Sequence, residues 1–300
     1  MRYQFLYNAG MTEKTPRLPR YHRVSVPLPM RLTERDKQIL EAIHAYDGML
    51  SFSQIQRIFF TGKSQAELRM RLLYHTGYVE RPNEIQRHRM PEMIYWLGRK
   101  GAEIVASLNS VSVAELGWRK EPRWFQVEHD IEVNNFRLDL EAACNQSSEI
   151  RLETWIPESE FWSYSDRITF FYNEKKMHRN IRPDGYFMLD SDQFTLRFLL
   201  EIDRSTEDNP RFYREKILPG IAYVKTNAYE NRFGHRSGRW LVITTTEHRM
   251  ENLILQAKHA ESKGLFYFTT FDQVSSETIL FSPIWRREDR TEPVPLVFMD

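Results

Sequence analysis

Cysteine is almost missing from this chain. Its 300 residues contain one, Cys144, which excludes an internal disulfide and any zinc cluster built on several thiolates. Long apolar runs are missing too, and none approaches the roughly 20 residues a membrane span needs. The opening MRYQFLYNAG is too short and polar for a secretory signal. Neither G-x-x-x-x-G-K-[ST] nor G-x-G-x-x-G occurs, so no nucleotide cofactor, ATP-driven motor or dinucleotide enzyme is expected. There is no H-E-x-x-H, and the nine His lack zinc-ligand spacing. These absences leave the expectation of a cytoplasmic protein without a membrane partner.

What is present is a globular composition, 41% hydrophobic and 28% charged, in a chain long enough for two domains. Net charge is only +1, yet its distribution is uneven. Residues 1–126 hold 20 Lys and Arg against 12 Asp and Glu, and residues 127–300 hold 22 against 29. A basic half joined to an acidic half suggests a polyanion-binding module attached to a module of another kind.

Residues 1–31 read as a basic arm. Four prolines in TEKTPRLPRYHRVSVPLPMR and no apolar period argue for extended chain, either a solvated tail or an arm that tracks phosphate. From residue 32 the pattern becomes helical. Thr33 stands at an N-cap with Asp36 three residues on, and Ile39, Leu40 and Ile43 form an apolar stripe that ends at Gly48. Ser51 caps a second helix with Ile55, Ile58 and Phe59 facing inward. Ser64, with Glu67 three residues later, starts a third that runs to Gly77, with Met70, Leu73 and Tyr74 in the core. YVERP and MIYWL then read as strands around the polar loop NEIQRHRMPE, and GRKGAEIVASL as a fourth helix.

Three short helices followed by two strands around a basic loop make a winged helix-turn-helix over residues 32–108. The third helix would enter the major groove of double-stranded DNA. Ser64, Gln65, Arg69 and Arg71 on it are the candidate base or phosphate contacts. Arg81, Arg87, His88 and Arg89 on the wing are the candidate phosphate contacts. Winged helices also bind proteins, so the fold alone does not settle the partner. A palindromic target would go with a homodimer and a single half-site with a monomer; both stay open.

Residues 109–126 have weak periodicity and read as a linker. Residues 127–281 read as an α/β domain and 282–300 as a tail, so the fold class is mixed α/β. VEHDIEVNNFRLDLEAAC is helical, RLETWIP and RITFFY are strands, and RITFFY ends in a Lys-rich turn. IRPDGYFML and FTLRFLLEI are strands joined at Asp190–Gln193. RFYREKILPGIAYVKT is a helix bent at Pro219–Gly220, followed by strand RWLVITTT, helix ENLILQAKHA and strand LFYFTTF. His129 reads as a structural residue at a helix start.

Asp184 begins one strand of the hairpin, while Glu201 and Asp203 end the other and share a face. Three carboxylates brought together repel unless a cation neutralises them, and oxygen ligands without Cys or His suit Mg²⁺ or Mn²⁺. The alternative is bland: Asp184 forms a Pro-Asp-Gly turn, and Glu201 and Asp203 are salt-bridged to Arg204 and Arg182.

Asp on one strand and Glu on the next resemble the PD-(D/E)XK nuclease superfamily, whose core order is helix, three strands, helix, strand. The wider set YWLGRKGAEIVA, EHDIEVNNFRLDLE, RPDGYF and EIDRSTEDNPRFYREKILPGIAYV resembles the replication-relaxation family over roughly residues 32–270. That family occurs on plasmids and integrative elements and is linked to plasmid relaxation, mobilisation and replication. The resemblance implies a restriction-endonuclease-like domain after the winged helix, with Asp184, Glu201 and Asp203 at its centre. It implies Glu132 as a further metal ligand and Lys216, or next Arg214, in place of the motif lysine, whose own position is Asp203. Three functions follow: a DNA-binding accessory factor with a retired nuclease fold, an active Mg²⁺-dependent endonuclease or nickase, or a ligand-sensing regulator.

Overall fold

Thr33 and Ser51 start helices by the same device. In the computed structural model, which describes residues 18–26 and 29–298, each side chain caps a backbone N–H while the third helical residue reaches back. The resulting α1 (Glu34–Ala45) and α2 (Phe52–Phe59) flank a short strand β1 (Met49–Ser51). Replacing Ser51 with Ala removes one half of its box, and thermal melting should report a loss of about 1 kcal/mol.

α3 (Lys63–His75) begins one residue earlier than the sequence suggests. Gly62 is its N-cap and makes no side-chain cap bond, so Ser64 lies inside the first turn rather than before it. Gly77, at φ +85°, turns the chain after α3 in the left-handed region that suits glycine. β2 (Val79–Glu80), α4 (Glu84–Arg87), β3 (Ile94–Leu97) and α5 (Arg99–Leu108) complete the amino-terminal unit. The loop between β2 and β3 is therefore partly helical, where a wholly irregular loop was expected. β3 pairs antiparallel with both β1 and β2. Ile39, Leu40, Ile43, Ile55, Met70 and Leu73 are fully buried, but Ile58 is exposed. A Cβ on Gly101 would sit 2.1 Å from the Tyr78 carbonyl, which is why α5 can lie against this turn only with glycine there.

Part of the predicted arm is strapped down. Arg23 donates to the Tyr74 carbonyl at 2.7 Å and pairs with Glu80 at 2.9 Å. Arg81 stacks on the Tyr74 ring at 4.0 Å and donates to the Arg20 carbonyl. The rest of the arm, residues 1–17 and 27–28, lies outside the described residues.

Residues 109–126 are packed rather than a free connector. Leu116 is buried, Trp118 donates to the Leu97 carbonyl at 2.9 Å, and the Trp96 indole donates to Lys120 at 2.8 Å. The chain then enters α6 (Val127–Gln146), which belongs to both halves. Leu138 joins the amino-terminal core, Val127 and Ile131 pack with Met49 and Trp96, and Phe136 and Leu140 join the core beyond. Gln54 donates to Ile131 and Asn135, and Asn134 donates to Met49 at 2.9 Å.

The second half is a five-stranded mixed sheet in the order β10-β9-β8-β7-β4. It comprises β4 (Arg151–Pro157), β7 (Gly185–Asp190), β8 (Thr195–Asp203), β9 (Arg239–Thr244) and β10 (Phe266–Thr270). The first three are antiparallel neighbours, and β8, β9 and β10 run parallel. Between β4 and β7 lie α7 (Glu158–Ser163) and a separate hairpin, β5 (Asp166–Tyr172) and β6 (Lys175–Ile181). The Lys-rich stretch is thus a strand, where only a turn was expected. α8 (Asn209–Phe212), a π-helical turn (Tyr213–Ile217) and α9 (Leu218–Val224) form one continuous helix, followed by α10 (Asn227–Phe233) and, after β9, α11 (Glu247–His259). The irregularity precedes Pro219, which has no N–H to donate; Leu218 bonds back to Tyr213 instead.

Side chains alternate across the sheet as period two requires. Phe198, Leu200 and Ile202 face the α6 side, and Leu199 faces the side of α9 and α11. Residues 271–298 fold back onto the sheet. Phe268 bridges Arg286, Trp285 bridges Val294, and Trp285, Leu296 and Val297 are buried in the core. Strand β10 is consequently covered at its outer edge. Among the described residues no helix is long and apolar enough to cross a membrane.

Candidate functional site

The antiparallel register of β7 and β8 sets Gly185 opposite Leu200, which places Asp184 beside the end of β8. The Asp184 carboxylate accepts from the Ile202 N–H at 2.6 Å, so it is more than a turn-former. Its second partner is His129 of α6, whose Nε2 lies 3.1 Å away. Glu201, 6% exposed, meets Lys216 from the π turn, with Nζ 2.5 Å from Oε1. Two acids and two bases thus converge where α6, the β7–β8 hairpin and the π turn meet.

Burial is the largest single influence on each group of this centre, though it decides the outcome only at Glu201. It pushes the Glu201 carboxyl up, to about 8; Lys216 works against that rise and Asp184 adds to it. Burial opposes the His129 imidazolium, but Asp184, Asp130 and Glu158 outweigh it and hold the pKa at about 11. Asp184 also pays for burial, yet His129 and Lys216 keep its carboxyl below the usual range. Among the described residues Glu201 Oε2 is buried and has no hydrogen-bond partner.

Asp203 shares the strand face of Glu201 but not its partners. Thr244 donates to it at 2.6 Å, and Arg249 of α11 grips both its oxygens at 2.8 and 3.0 Å. Glu132, expected as a metal ligand, is half-buried on α6; His129 of the same helix reaches Asp184 instead. Among the described residues no group of three or more His, Cys, Asp or Glu is placed to hold a metal ion. The donors as arranged therefore do not form a Mg²⁺ or Mn²⁺ cage, since each carboxylate is tied to a neighbouring cation or N–H. The bland alternative also named the wrong partners: Arg204 pairs with Glu128, and Arg182 stacks on Trp162 at 3.9 Å. Arg214 pairs with Glu215 rather than with the carboxylates.

His129 was expected as a structural residue at a helix start, and its partner Asp184 was not foreseen. Its signal was weak: a His in the first turn of a helix that also carries Glu128 and Asp130. Only the fold brings it to an Asp 55 positions later. From it a chain of ion pairs continues to the amino-terminal unit. Arg123 contacts Glu158 at 2.7 Å, Asp130 at 3.2 Å and Asp47 at 3.6 Å. A small cavity of about 20 Å³ bounded by Asp47, Asp130, Glu158 and Asp184 lies along it, room for about one water.

In the amino-terminal unit the expected contact residues divide. Ser64, Gln65, His88 and Arg89 are exposed, and Arg71 and Arg87 are half-buried. Arg87 donates to the Met90 carbonyl at 2.8 Å, bracing its loop. Arg69, expected to reach DNA, instead grips Asp36, which is 0% exposed, with Nε 2.6 Å from Oδ1. Arg81 likewise serves the strap described above. Lys63 and Leu68, not singled out from the sequence, are exposed beside Ser64 and Gln65.

A larger cavity lies elsewhere, about 480 Å³ at the turn end of the β7–β8 hairpin, against Phe194, Leu196, Tyr267 and Val297. It is remote from the carboxylates in the fold. Arg239, Glu149 and Asp192 are its charged lining residues.

The model of a family described as replication-relaxation matches residues 40–234. No curated protein and no solved structure matches the chain.

Proposed function

The chain belongs to the replication-relaxation family, and on that premise we propose that it is a DNA-binding factor of a mobile genetic element, acting in its replication or mobilisation. In this reading α1–α3 with β1–β3 are a winged helix-turn-helix. The sheet domain, with its helix, three strands, helix, strand order from α6 to β9, is a PD-(D/E)XK-like fold that grips DNA without cutting it. The observation that carries the reading is the division of the amino-terminal side chains. The start of α3 (Lys63, Ser64, Gln65) and the loop after α4 (His88, Arg89) stay exposed, on the elements that such a fold presents to a major groove and to phosphates. Double-stranded DNA is the partner.

Two further points support a non-cutting domain. The position of the motif lysine is Asp203, and Arg249 holds it. Asp184 and Glu201 are each paired with a base of the same chain. The runner-up, a Mg²⁺-dependent nickase, is favoured by one feature, the buried and unpartnered Glu201 Oε2 next to Lys216.

Supercoiled plasmid incubated with the protein, with and without Mg²⁺ or Mn²⁺, separates these readings. Retardation without nicking is the expected result. Metal-dependent nicking that an Asp184→Ala/Glu201→Ala variant loses would establish the nickase, and no retardation under any condition would remove DNA binding altogether. A Gln65→Ala/Arg71→Ala/Arg89→Ala variant should bind duplex about tenfold more weakly. The slope of its affinity against salt should flatten by about one unit for each phosphate it no longer neutralises. Unchanged affinity at matched salt would place the DNA elsewhere.

A further inference from the structure

Among the described residues the strands of the β5–β6 hairpin pair only with each other and stand outside the five-stranded sheet. Its residues alternate cleanly. Ile168, Phe170 and Ile181 face inward, where they pack with Ile221 and Tyr223 of α9. The outward face consists of three cross-strand pairs, Arg167 with Asn180, Thr169 with His178, and Phe171 with Lys176, all exposed. Phe171 is 69% exposed, an aromatic ring set among the polar and cationic side chains of the same face. No carboxylate lies on this face. Asp166, at its base, is held by Tyr223 and Arg232, and Glu174 sits in the turn. That turn has both central residues, Asn173 and Glu174, at positive φ, the two-residue geometry that gives a hairpin a defined twist.

We infer that this outward face is a second DNA-contacting surface, one that takes an unpaired strand. Arg167 and Lys176 meet its phosphates, His178 and Asn180 offer polar contacts between them, and a base stacks on Phe171. The inference rests on the DNA-binding reading above and extends it to a second site. A cationic groove with an aromatic platform is the recurrent solution for single strands, because every unstacked base has a face to offer. Bases inside a duplex have none to give, so Phe171 selects DNA that is already open. Position favours the same partner. β6 ends at Ile181, three residues before Asp184, so a strand following the hairpin runs toward the carboxylate centre.

The test compares the full chain on three fluorescent oligonucleotides at matched salt: a plain duplex, the same duplex with a single-stranded extension, and the extension alone. The wild type should bind the tailed duplex at least about fivefold more tightly than the plain one. Phe171→Ala and Arg167→Ala/Lys176→Ala should each erase that preference while leaving plain-duplex affinity unchanged. These side chains are exposed, and an unshifted melting temperature will show that the variants fold. Equal affinity of the wild type for tailed and plain duplex overturns the inference, as does a preference that survives in both variants. Loss of plain-duplex binding alone, with the extension still bound, counts against the winged-helix reading and not against this one.

Discussion

Replacing Asp36 with alanine is expected to destabilise the amino-terminal unit by about 3–5 kcal/mol, the cost of breaking a buried ion pair from one side. Asp36 has three duties that its position in the sequence does not separate. It closes the capping box with Thr33, accepts from the Thr33 hydroxyl at 2.7 Å, and holds Arg69 across the α1–α3 contact. Burial works against its charge, but Arg69 and Thr33 prevail and keep its carboxyl below the usual range. Removing it leaves the Arg69 guanidinium without its carboxylate and α1 without its cap. Chemical denaturation followed by tryptophan fluorescence reads the loss, since Trp96 and Trp118 report on this unit. A change below about 1 kcal/mol would mean that the pair is no more than a surface bridge. The consequence for DNA work is direct. On the proposed DNA-binding reading, Arg69→Ala is expected to weaken binding by loosening α3, so its melting temperature must be measured beside its affinity.

Glu201→Gln should change how stability depends on pH. The ordinary Glu value is 4.5, and burial with Asp184 alongside raises it to about 8 in the folded chain. Between those values the folded protein holds a proton that the unfolded chain has released. Stability therefore falls as pH rises from about 4.5 to 8. Glutamine keeps the neutral form at every pH, so the variant's melting temperature should be flatter across this window and higher than wild type at pH 8. His129 acts in the neighbouring window. Its folded value is raised from 6.5 to about 11, so its contribution is fully present below 6.5 and is lost as pH climbs through 11. A wild type and variant with parallel pH profiles would sink the assignment of Glu201. Repeating the series in millimolar Mg²⁺ adds a second readout. The pairing described above predicts no change, whereas a cation bound at this centre would hold Glu201 ionised, raise the melting temperature and abolish the slope.

Local signals in the chain announced their own elements. Thr33 and Ser51 gave two helix starts, and the stripe Ile39, Leu40, Ile43 gave the buried face of α1. The hairpin through Asp190–Gln193 appears where the turn residues put it. Failures came where a long-range partner decides. Arg69 looks free on a helical wheel because Asp36 lies 33 residues away, and Arg81 because Tyr74 and Arg20 come to it only in the folded unit. Ile58 fits an apolar stripe, yet α2 is too short to bury both edges of it. Lys175 and Lys176 suggested a turn because charge masks the alternation of β6, whose inward positions include Met177 and Ile181. At the candidate site, Asp184 and Glu201 do come together, and Lys216 does arrive from the following helix. Asp203 is claimed by Arg249, and from α6 it is His129 that pairs with Asp184.

The sharing of α6 between the two halves has a geometric consequence. A helix of 20 residues is a stiff rod about 30 Å long, and here one end touches the carboxylate centre while its middle is bonded to α2 and β1. Among the described residues the two halves thus share one beam, and residues 109–126 pack against the amino-terminal unit. DNA seated on α3 would meet the sheet domain at a constant stride along the double helix, set by the beam and not by the sequence between. On the proposed DNA-binding reading, footprints at different targets would show one fixed interval between the contacts of its two halves.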